Sequence, residues 1–247
     1  MPHLTLVRPD MGLDEIIANI AIPHLVPPPV VVGSRAMNVS LALLVLVLTS
    51  PLILLIALAV KLTSDGPVLY VQERVGLDGR GGRDRRQARS SDGDPRRARD
   101  LGGKLFRMYK FRTMRIDAER ESGAVWATEG DPRVTSIGRF LRRYRLDELP
   151  QLVNVLRGEM NIVGPRPERP TIFADLRLQI PEYHFRQRAK PGITGLAQIN
   201  HHYDRSVDDV RIKLGYDLDY IGRHSTREDL RIMIRTVPAV ILKRRGW

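Results

Sequence analysis

Two adjacent acids, Asp147 and Glu148, lie in a stretch that is otherwise rich in arginine, with Arg142, Arg143 and Arg145 just before them. Arginine side chains match phosphate oxygens in bidentate fashion, and Mg²⁺ prefers one or two carboxylates together with phosphate oxygens. A carboxylate can also act as the nucleophile that forms an acyl phosphate. The pattern therefore indicates phosphoryl transfer on a Mg²⁺-bound diphosphate, with Asp147 and Glu148 as metal ligands.

The two acids also have a structural explanation, because Asp and Glu are common at helix N-termini. The apolar residues from Leu149 to Leu156 recur at helical spacing, and Pro150 is acceptable only in a first turn. The spacing thus predicts a helix that begins at about Asp147, with Asp147 as its N-cap. The surrounding arginines, including Arg166 in the Gly164–Pro167 turn, have no part in capping and favour the phosphate interpretation.

A second basic segment precedes the acids in the sequence. Residues 105–114, LFRMYKFRTM, alternate apolar and basic side chains. This alternation is typical of a strand, and it predicts that Arg107, Lys110 and Arg112 lie near one another.

The longest apolar segment, residues 36–62, predicts a membrane helix. No charged residue lies between Arg35 and Lys61, and the segment exceeds the roughly 20 apolar residues that cross a bilayer. Pro51 follows Ser50 in its middle and predicts a kink there. A kinked spanning helix and a re-entrant helix both fit, because the flanking charges do not distinguish them.

Four short motifs occur in order along the chain. They are KFRTM at 110–114, LDELPQ at 146–151, GPRP at 164–167 and KPGITG at 190–195. Through these motifs the sequence resembles the monotopic phosphoglycosyl transferases, the bacterial sugar transferase family, over about residues 35–240. The Ser50-Pro51 pair is similar to the pair that breaks that family's re-entrant helix, so the resemblance favours re-entry.

The resemblance implies an undecaprenyl-phosphate sugar phosphotransferase. Such an enzyme moves a sugar 1-phosphate from a UDP-sugar to polyprenyl (undecaprenyl) phosphate and releases UMP, in the first membrane step of exopolysaccharide or glycan synthesis. Asp147 resembles the nucleophile that carries the phosphosugar, and Glu148 resembles its partner, with Mg²⁺ bound at the pair. The expected substrate-binding residues are Lys110, Arg112, Arg142, Arg166 and Asp217.

The expected fold is an α/β, helix-rich, membrane-associated domain with a re-entrant helix and interfacial amphipathic helices. It divides into an N-terminal arm (1–35), the re-entrant helix (36–62) and a catalytic domain (63–247) on the cytoplasmic face of the bacterial inner membrane. Residues 76–103 form an Arg-rich insertion, predicted to be mobile, and either a solvated loop or a contact with anionic lipid fits it. Residues 230–247 predict an amphipathic helix, at the membrane interface or packed on the core.

The overall charge leaves a second function class open. The 247 residues include 40 Lys and Arg against 28 Asp and Glu, a net charge of +12, and no cysteine. A non-catalytic, membrane-anchored protein that binds anionic lipid or polysaccharide has this balance, but its surface would gain nothing from the Asp147–Glu148 pair. Nucleic acid is not expected, because no recognition module is evident. Membrane lipids are expected partners, and a homodimer stays open, as does the identity of the sugar.

Overall fold

The computed structural model describes residues 32–78, 103–118, 130–201 and 206–241, and in these ranges it is a helix-rich α/β structure, as predicted. Most of the N-terminal arm and of the Arg-rich insertion lies outside the described residues. The helices are α1 (Val32–Thr63), α2 (Ser136–Arg143), α3 (Gln151–Arg157), α4 (Pro170–Gln179), α5 (Leu196–Asn200), α6 (Val207–Arg223) and α7 (Thr226–Ile241). The strands are β1 (Leu69–Val75), β2 (Leu105–Phe111), β3 (Asn161–Val163) and β4 (Gly192–Thr194), and two 3₁₀ segments cover Leu146–Glu148 and Pro181–Arg188.

Helix α1 is the one helix in the described ranges that is long and apolar enough to cross a membrane, and most of it is not covered by the rest of the protein. It starts earlier than the predicted residue 36. Its first turns are ordered by a tertiary contact, because the Arg35 guanidinium donates to the carbonyls of Val155 (2.5 Å) and Leu156 (2.8 Å) near the end of α3. Together with the family resemblance of the sequence, this helix indicates membrane association.

The Ser50-Pro51 pair lies inside α1, which continues through the proline. Proline has no N–H, so the carbonyl of Val47 loses the hydrogen bond that residue 51 would otherwise donate. The Ser50 hydroxyl donates to that carbonyl instead, at 2.8 Å, and the Thr49 hydroxyl donates to the carbonyl of Val45 at 2.6 Å. Such side-chain bonds satisfy the backbone within a membrane and tend to bend helices. The kink itself stays a prediction.

Both halves of α1 pack against the same domain. Ala42 lies in an apolar cluster with Phe106 and Met108 of β2 and with α3. Ile56 and Val60 lie in a second cluster with residues of β2 and α2. The side chains between these contacts, from Val47 to Leu52, are mostly exposed.

The described strands form two separate two-stranded sheets, antiparallel β1–β2 and parallel β3–β4. The largest core cluster joins β3 to α4, α6 and α7, with Phe173, Leu218 and Ile232 fully buried or nearly so. Helix α7 therefore packs on the core through Ile232, while Leu230, Ile234 and Val237 form an exposed apolar strip. The predicted packing on the core is therefore observed for one face of the helix. Its placement at a membrane interface through the exposed strip stays a prediction.

Candidate active site

The acidic pair lies on a tight 3₁₀ turn rather than at an α-helix N-terminus, so the predicted helix start was wrong. Arg145 has φ 56°, a left-handed conformation that is uncommon for a residue with a side chain. It turns the chain into the 3₁₀ segment, and α3 begins only at Gln151, with Pro150 at its N-cap. The amide of Glu148 bonds to the carbonyl of Arg145 (3.2 Å), so the turn is closed by its backbone. Asp147 is not used as a cap.

Glu148 is surrounded by positive charge. Its Oε1 atom lies 2.9 Å from Arg166, 3.2 Å from Lys110 and 3.7 Å from Arg145. Glu148 is only 5% exposed, and burial opposes its ionisation, but the ion pairs outweigh burial and hold its pKa well below the usual range. In return, Glu148 raises the pKa of Arg166. Glu148 is therefore a fixed carboxylate.

Asp147 has the opposite environment. It is 7% exposed, and in the part of the chain that the structure describes its carboxylate makes no hydrogen bond or ion pair. Burial raises the pKa of Asp147, the charge of Glu148 raises it further, and Lys110 and Arg142 oppose the rise. A buried carboxylate without a partner is costly, which indicates that this group is reserved for a ligand or a reaction.

Lys110 and one further cation, Arg142, influence the pair. Burial lowers the pKa of Lys110 to about 8, although Glu148 opposes the change. Arg142, at the end of α2, donates its Nε hydrogen to the Thr113 hydroxyl at 2.9 Å. Burial lowers the pKa of Arg142, and the charge of Asp147 is the first of the influences that oppose this. The predicted set Lys110, Arg142 and Arg166 thus comes together around the acids.

The donor set fits Mg²⁺. Asp147 offers a carboxylate that no described residue occupies, and Glu148 is next to it. Within the described ranges no group of three His, Cys, Asp or Glu forms a complete protein site. Mg²⁺ commonly takes one or two carboxylates and completes its shell with phosphate oxygens and water, so two acids are sufficient.

The Gly164–Pro167 turn that carries Arg166 is packed tightly against the second glycine motif. A side chain at Gly164 would lie 2.2 Å from the carbonyl of Lys190, and one at Gly192 would lie 2.1 Å from the amide of Gly164. These approaches permit the hydrogen bonds from Gly164 N to Thr194 O and from Gly192 N to Pro165 O, both 2.9 Å. The KPGITG motif therefore holds the Gly164–Pro167 turn in place through these hydrogen bonds. This turn, which carries Arg166, is called the arginine turn below.

Two predicted substrate-binding residues lie elsewhere. Arg112 donates to the carbonyl (2.7 Å) and hydroxyl (2.8 Å) of Ser64, just past the end of α1, so it binds that helix end and is not beside Lys110. Arg107 also points away from Lys110, because the two are an odd number of residues apart on β2. Asp217 is buried in an ion pair with Arg186. Their roles toward substrate are not tested by these positions.

Two residues that contact the predicted set were not anticipated from the sequence, namely Arg186 and Thr113. Arg145 was among the predicted arginines, but nothing marked its conformation as left-handed. Arg186 and Thr113 are distant in sequence from the groups that they contact, so no local pattern could have indicated them. Arg145 could have been found only through its place just before the acids.

The chain is similar to known proteins over most of its length. The family model for bacterial sugar transferases matches residues 30–82 and 95–243. An Aeromonas hydrophila UDP-N-acetylgalactosamine-undecaprenyl-phosphate N-acetylgalactosaminephosphotransferase is 38% identical over 88% of the chain and 46% of its own length. A Caulobacter vibrioides UDP-glucose:undecaprenyl-phosphate glucose-1-phosphate transferase is 41% identical over 84% of the chain and 69% of its own length.

One relative is matched nearly in full. An exopolysaccharide production protein of Rhizobium leguminosarum is 36% identical, over 86% of this chain and 97% of the relative. The chain spans less than half of the Aeromonas relative, so the similarity concerns the part that carries the acidic pair and its arginines. Because the family model covers well over half of the chain, the chain belongs to the bacterial sugar transferase family.

Proposed function

We propose that this chain is a phosphoglycosyl transferase that moves a sugar 1-phosphate from a UDP-sugar to polyprenyl phosphate through a covalent intermediate on Asp147. The observation that carries the proposal is the contrast within the acidic pair. Asp147 is a buried carboxylate without a described partner, next to Glu148, whose Oε1 atom is fixed by Lys110 and Arg166. One acid is open to a ligand, and its neighbour is fixed by cations that suit a diphosphate.

In the first half-reaction, an Asp147 carboxylate oxygen attacks the β-phosphorus of the donor. The bond from that phosphorus to the bridging oxygen breaks, UMP leaves with the bridging oxygen, and the sugar phosphate stays on Asp147 as an acyl phosphate. Lys110, Arg142 and Arg166 stabilise the charge that develops on the phosphate oxygens, which is the main requirement of phosphoryl transfer.

In the second half-reaction, a phosphate oxygen of the polyprenyl phosphate attacks the phosphorus of the intermediate. The bond between phosphorus and the Asp147 oxygen breaks, so the carboxylate is regenerated and the sugar leaves on a lipid diphosphate. Neither half-reaction consumes an oxidant or needs a further reactant, so the cycle is balanced.

Asp147 and Glu148 are the residues that would hold Mg²⁺. When bound, Mg²⁺ neutralises the diphosphate charge and favours the ionised, nucleophilic form of a carboxylate whose pKa burial raises.

The relatives support the substrate class. The Aeromonas and Caulobacter proteins are named for UDP-linked donors and for undecaprenyl phosphate as acceptor. Their sugars differ, N-acetylgalactosamine in one and glucose in the other, so the sugar of this chain is left to a panel of donors. The name of the Rhizobium relative supports a place in exopolysaccharide synthesis, and we propose that this transfer is the first membrane step of that synthesis.

The contacts of α1 support re-entry from the cytoplasmic face of the inner membrane. A straight helix of 32 residues is about 48 Å long, which exceeds a hydrocarbon core of about 30 Å. A straight spanning helix would carry Arg35 and Ser64 to opposite sides of the membrane. Here Arg35 binds α3 and Ser64 binds Arg112, both in the catalytic domain. A bend at Ser50-Pro51, with both ends on one side, is consistent with these contacts.

The test is UMP release by the membrane-bound chain with undecaprenyl phosphate, Mg²⁺ and a panel of UDP-sugars. We expect UMP with at least one donor, and its loss on chelation of Mg²⁺ and in Asp147→Asn. Asp175→Asn is the matched control, because Asp175 is exposed on α4 and far along the chain from the acids. With donor alone, intact mass should show one added phosphosugar on the parent and none on Asp147→Asn.

Two results would contradict the proposal. If Asp147→Asn kept the parent's rate, Asp147 would not be the nucleophile. If folded parent protein released no UMP from any donor in a broad panel, the non-catalytic binding protein would become the better explanation.

A further inference from the structure

Arg186 is a buried arginine that the transfer mechanism does not use directly. It lies in the 3₁₀ segment Pro181–Arg188 and is 3% exposed. Its Nη2 atom is 2.7 Å from the Asp217 carboxylate on α6 and donates to the main-chain carbonyl of Arg166 at 3.0 Å. Its Nη1 atom donates to the Tyr183 hydroxyl, and the guanidinium lies 4.9 Å from the centre of the Tyr183 ring. The guanidinium is thus fixed from several directions.

The carbonyl that Arg186 binds belongs to a turn with few backbone N–H donors of its own. Arg166 lies between Pro165 and Pro167, and neither proline has an N–H. Three successive carbonyls of this turn are each bound from a different element. Pro165 O accepts from Gly192 N (2.9 Å), Arg166 O from Arg186 (3.0 Å) and Pro167 O from Arg74 (3.0 Å). Arg186 therefore restrains the residue whose side chain reaches the acids.

A continuous chain of contacts leads from α6 to the acidic pair. Asp217 binds Arg186, Arg186 binds the backbone of Arg166, and the Arg166 side chain donates to Glu148 at 2.9 Å. A planar, five-donor guanidinium can bind two acceptors at fixed angles, which a lysine cannot do. The contact between Arg186 and Arg166 is with the main chain, so it constrains the position of the turn without reaching the substrate.

We propose that Arg186, fixed by Asp217, is a positioning residue that sets the Arg166 guanidinium on Glu148 for the transfer reaction. The inference rests on the proposed function, and it gives Asp217 a role through Arg186 rather than in direct contact with substrate. If Arg186 acts only by placing Arg166, its removal should cost nothing further once the Arg166 side chain is gone.

A double-mutant cycle tests this coupling. We expect Arg166→Gln and Arg186→Gln each to lower kcat/KM for UMP release, by about 10- to 100-fold. The double variant should be no slower than the slower single variant. Losses that multiply would overturn the inference, because Arg186 would then act independently of Arg166.

A conservative variant covers the case in which Arg186→Gln fails to fold. Asp217→Asn keeps the shape of the side chain and removes only its charge, and its loss of kcat/KM should likewise disappear in the Arg166→Gln background. Multiplying losses would again overturn the inference.

Arg223→Gln is the matched control for loss of a buried ion pair. Arg223 pairs with Asp219, which is 1% exposed and lies on the same helix as Asp217 but two residues further on, and therefore on roughly the opposite face of that helix. Whatever loss this variant causes should multiply with that of Arg166→Gln. If the losses from Arg186→Gln and Arg166→Gln multiplied in the same way, the inference would be overturned. A parent protein that releases no UMP would instead overturn the proposed function, and with it this role of Arg186.

Discussion

At the scale of residues, Asp147 and Glu148 are sequence neighbours with opposite electrostatic environments. Burial acts on both, but the ion pairs with Arg166, Lys110 and Arg145 fall on Glu148. The pKa of Glu148 is therefore low and that of Asp147 is raised. Two acids whose environments move their pKa values apart commonly have different roles in a reaction. The environments are consistent with a fixed carboxylate at 148 and a reactive one at 147.

Lys110 provides a pH-dependent prediction. Burial lowers its pKa to about 8, so the side chain is charged below that pH and becomes neutral as the pH rises through it. A neutral lysine no longer pairs with Glu148 or stabilises phosphate charge. We therefore expect kcat/KM for UMP release to fall above about pH 8 in a profile from pH 6.5 to 10.

A variant that keeps its charge separates Lys110 from other groups. In Lys110→Arg the alkaline fall should move to higher pH, because the guanidinium has a much higher pKa, even if its different shape lowers the rate. Lys104→Arg, on an exposed side chain one residue before β2, should keep the parent's profile. An unshifted fall in Lys110→Arg would assign the titration to another residue.

The site was predictable where residue type and local motif were sufficient. Residue chemistry singled out Asp147 and Glu148 with the nearby arginines, and the resemblance to the family added Lys110 and assigned Arg142 and Arg166 to the same set. Arg112 belongs to the same motif as Lys110, yet it binds the end of α1, because β2 ends at Phe111 and the alternation of the strand does not extend to residue 112. Arg186 was missed because its importance comes from contacts with Arg166 and Asp217, which are far away in sequence.

At the scale of elements, Asn154 joins the strand that carries Lys110 to the helix that follows the acids. It is fully buried on α3, accepts from the amide of Tyr109 (3.1 Å) and donates to the carbonyl of Arg107 (2.6 Å) on β2. A second donation reaches Glu159 at 2.7 Å. One side chain thus provides hydrogen-bond partners for two backbone groups on the edge of β2 that faces away from β1. It thereby fixes the distance between β2 and α3, the helix that follows the acidic pair.

Removing this side chain should destabilise the fold. Asn154→Ala removes a fully buried side chain and leaves the part-buried amide of Tyr109 and the carbonyl of Arg107 without this partner, so we expect the free energy of unfolding to fall by about 1–3 kcal/mol. Urea unfolding of the detergent-solubilised protein measures the change. Gln179→Ala removes an exposed side chain that bonds only within α4 and should stay within about 0.5 kcal/mol of the parent. Equal effects of the two variants would contradict the bridging role of Asn154.

The elements themselves were predictable in kind but less so in their ends. A long uncharged apolar run indicated α1, and periodicity indicated β2 and α3. Yet α1 begins earlier because Arg35 binds the end of α3, and α3 begins later because Arg145 turns the chain. Both differences come from conformations or contacts that depend on the whole structure. The short strands β3 and β4 are separated by 28 residues, counted between Val163 and Gly192, so no local sequence pattern could predict that they pair.

At the scale of the whole molecule, both ends of the apolar helix α1 make hydrogen bonds with the domain that carries the acidic pair. Ser34 donates to Asp229 of α7 (3.3 Å), and Asn38 accepts from the amide of Ile162 next to the arginine turn (2.6 Å). At the other end, Arg112 binds Ser64. The first turns of α1 thus contact β3 and α7, and Arg35 also binds α3, so a change in the tilt of α1 would strain the contacts with all three elements. Helix α1 is therefore joined by direct hydrogen bonds at both of its ends to the elements that surround the acidic pair.

The topology that these contacts support can be tested with single cysteines, because the chain has none of its own. We expect Thr5→Cys, ahead of α1, and Asp175→Cys, on α4, both to resist a membrane-impermeant maleimide in intact spheroplasts and both to react after lysis. Both would then lie on the cytoplasmic side, as a re-entrant helix requires. Labelling of Thr5→Cys alone in intact cells would instead mean that α1 spans the membrane. Arg35 and Ser64 would then lie on opposite sides and could not both contact one catalytic domain, so the contacts at one end would have to break.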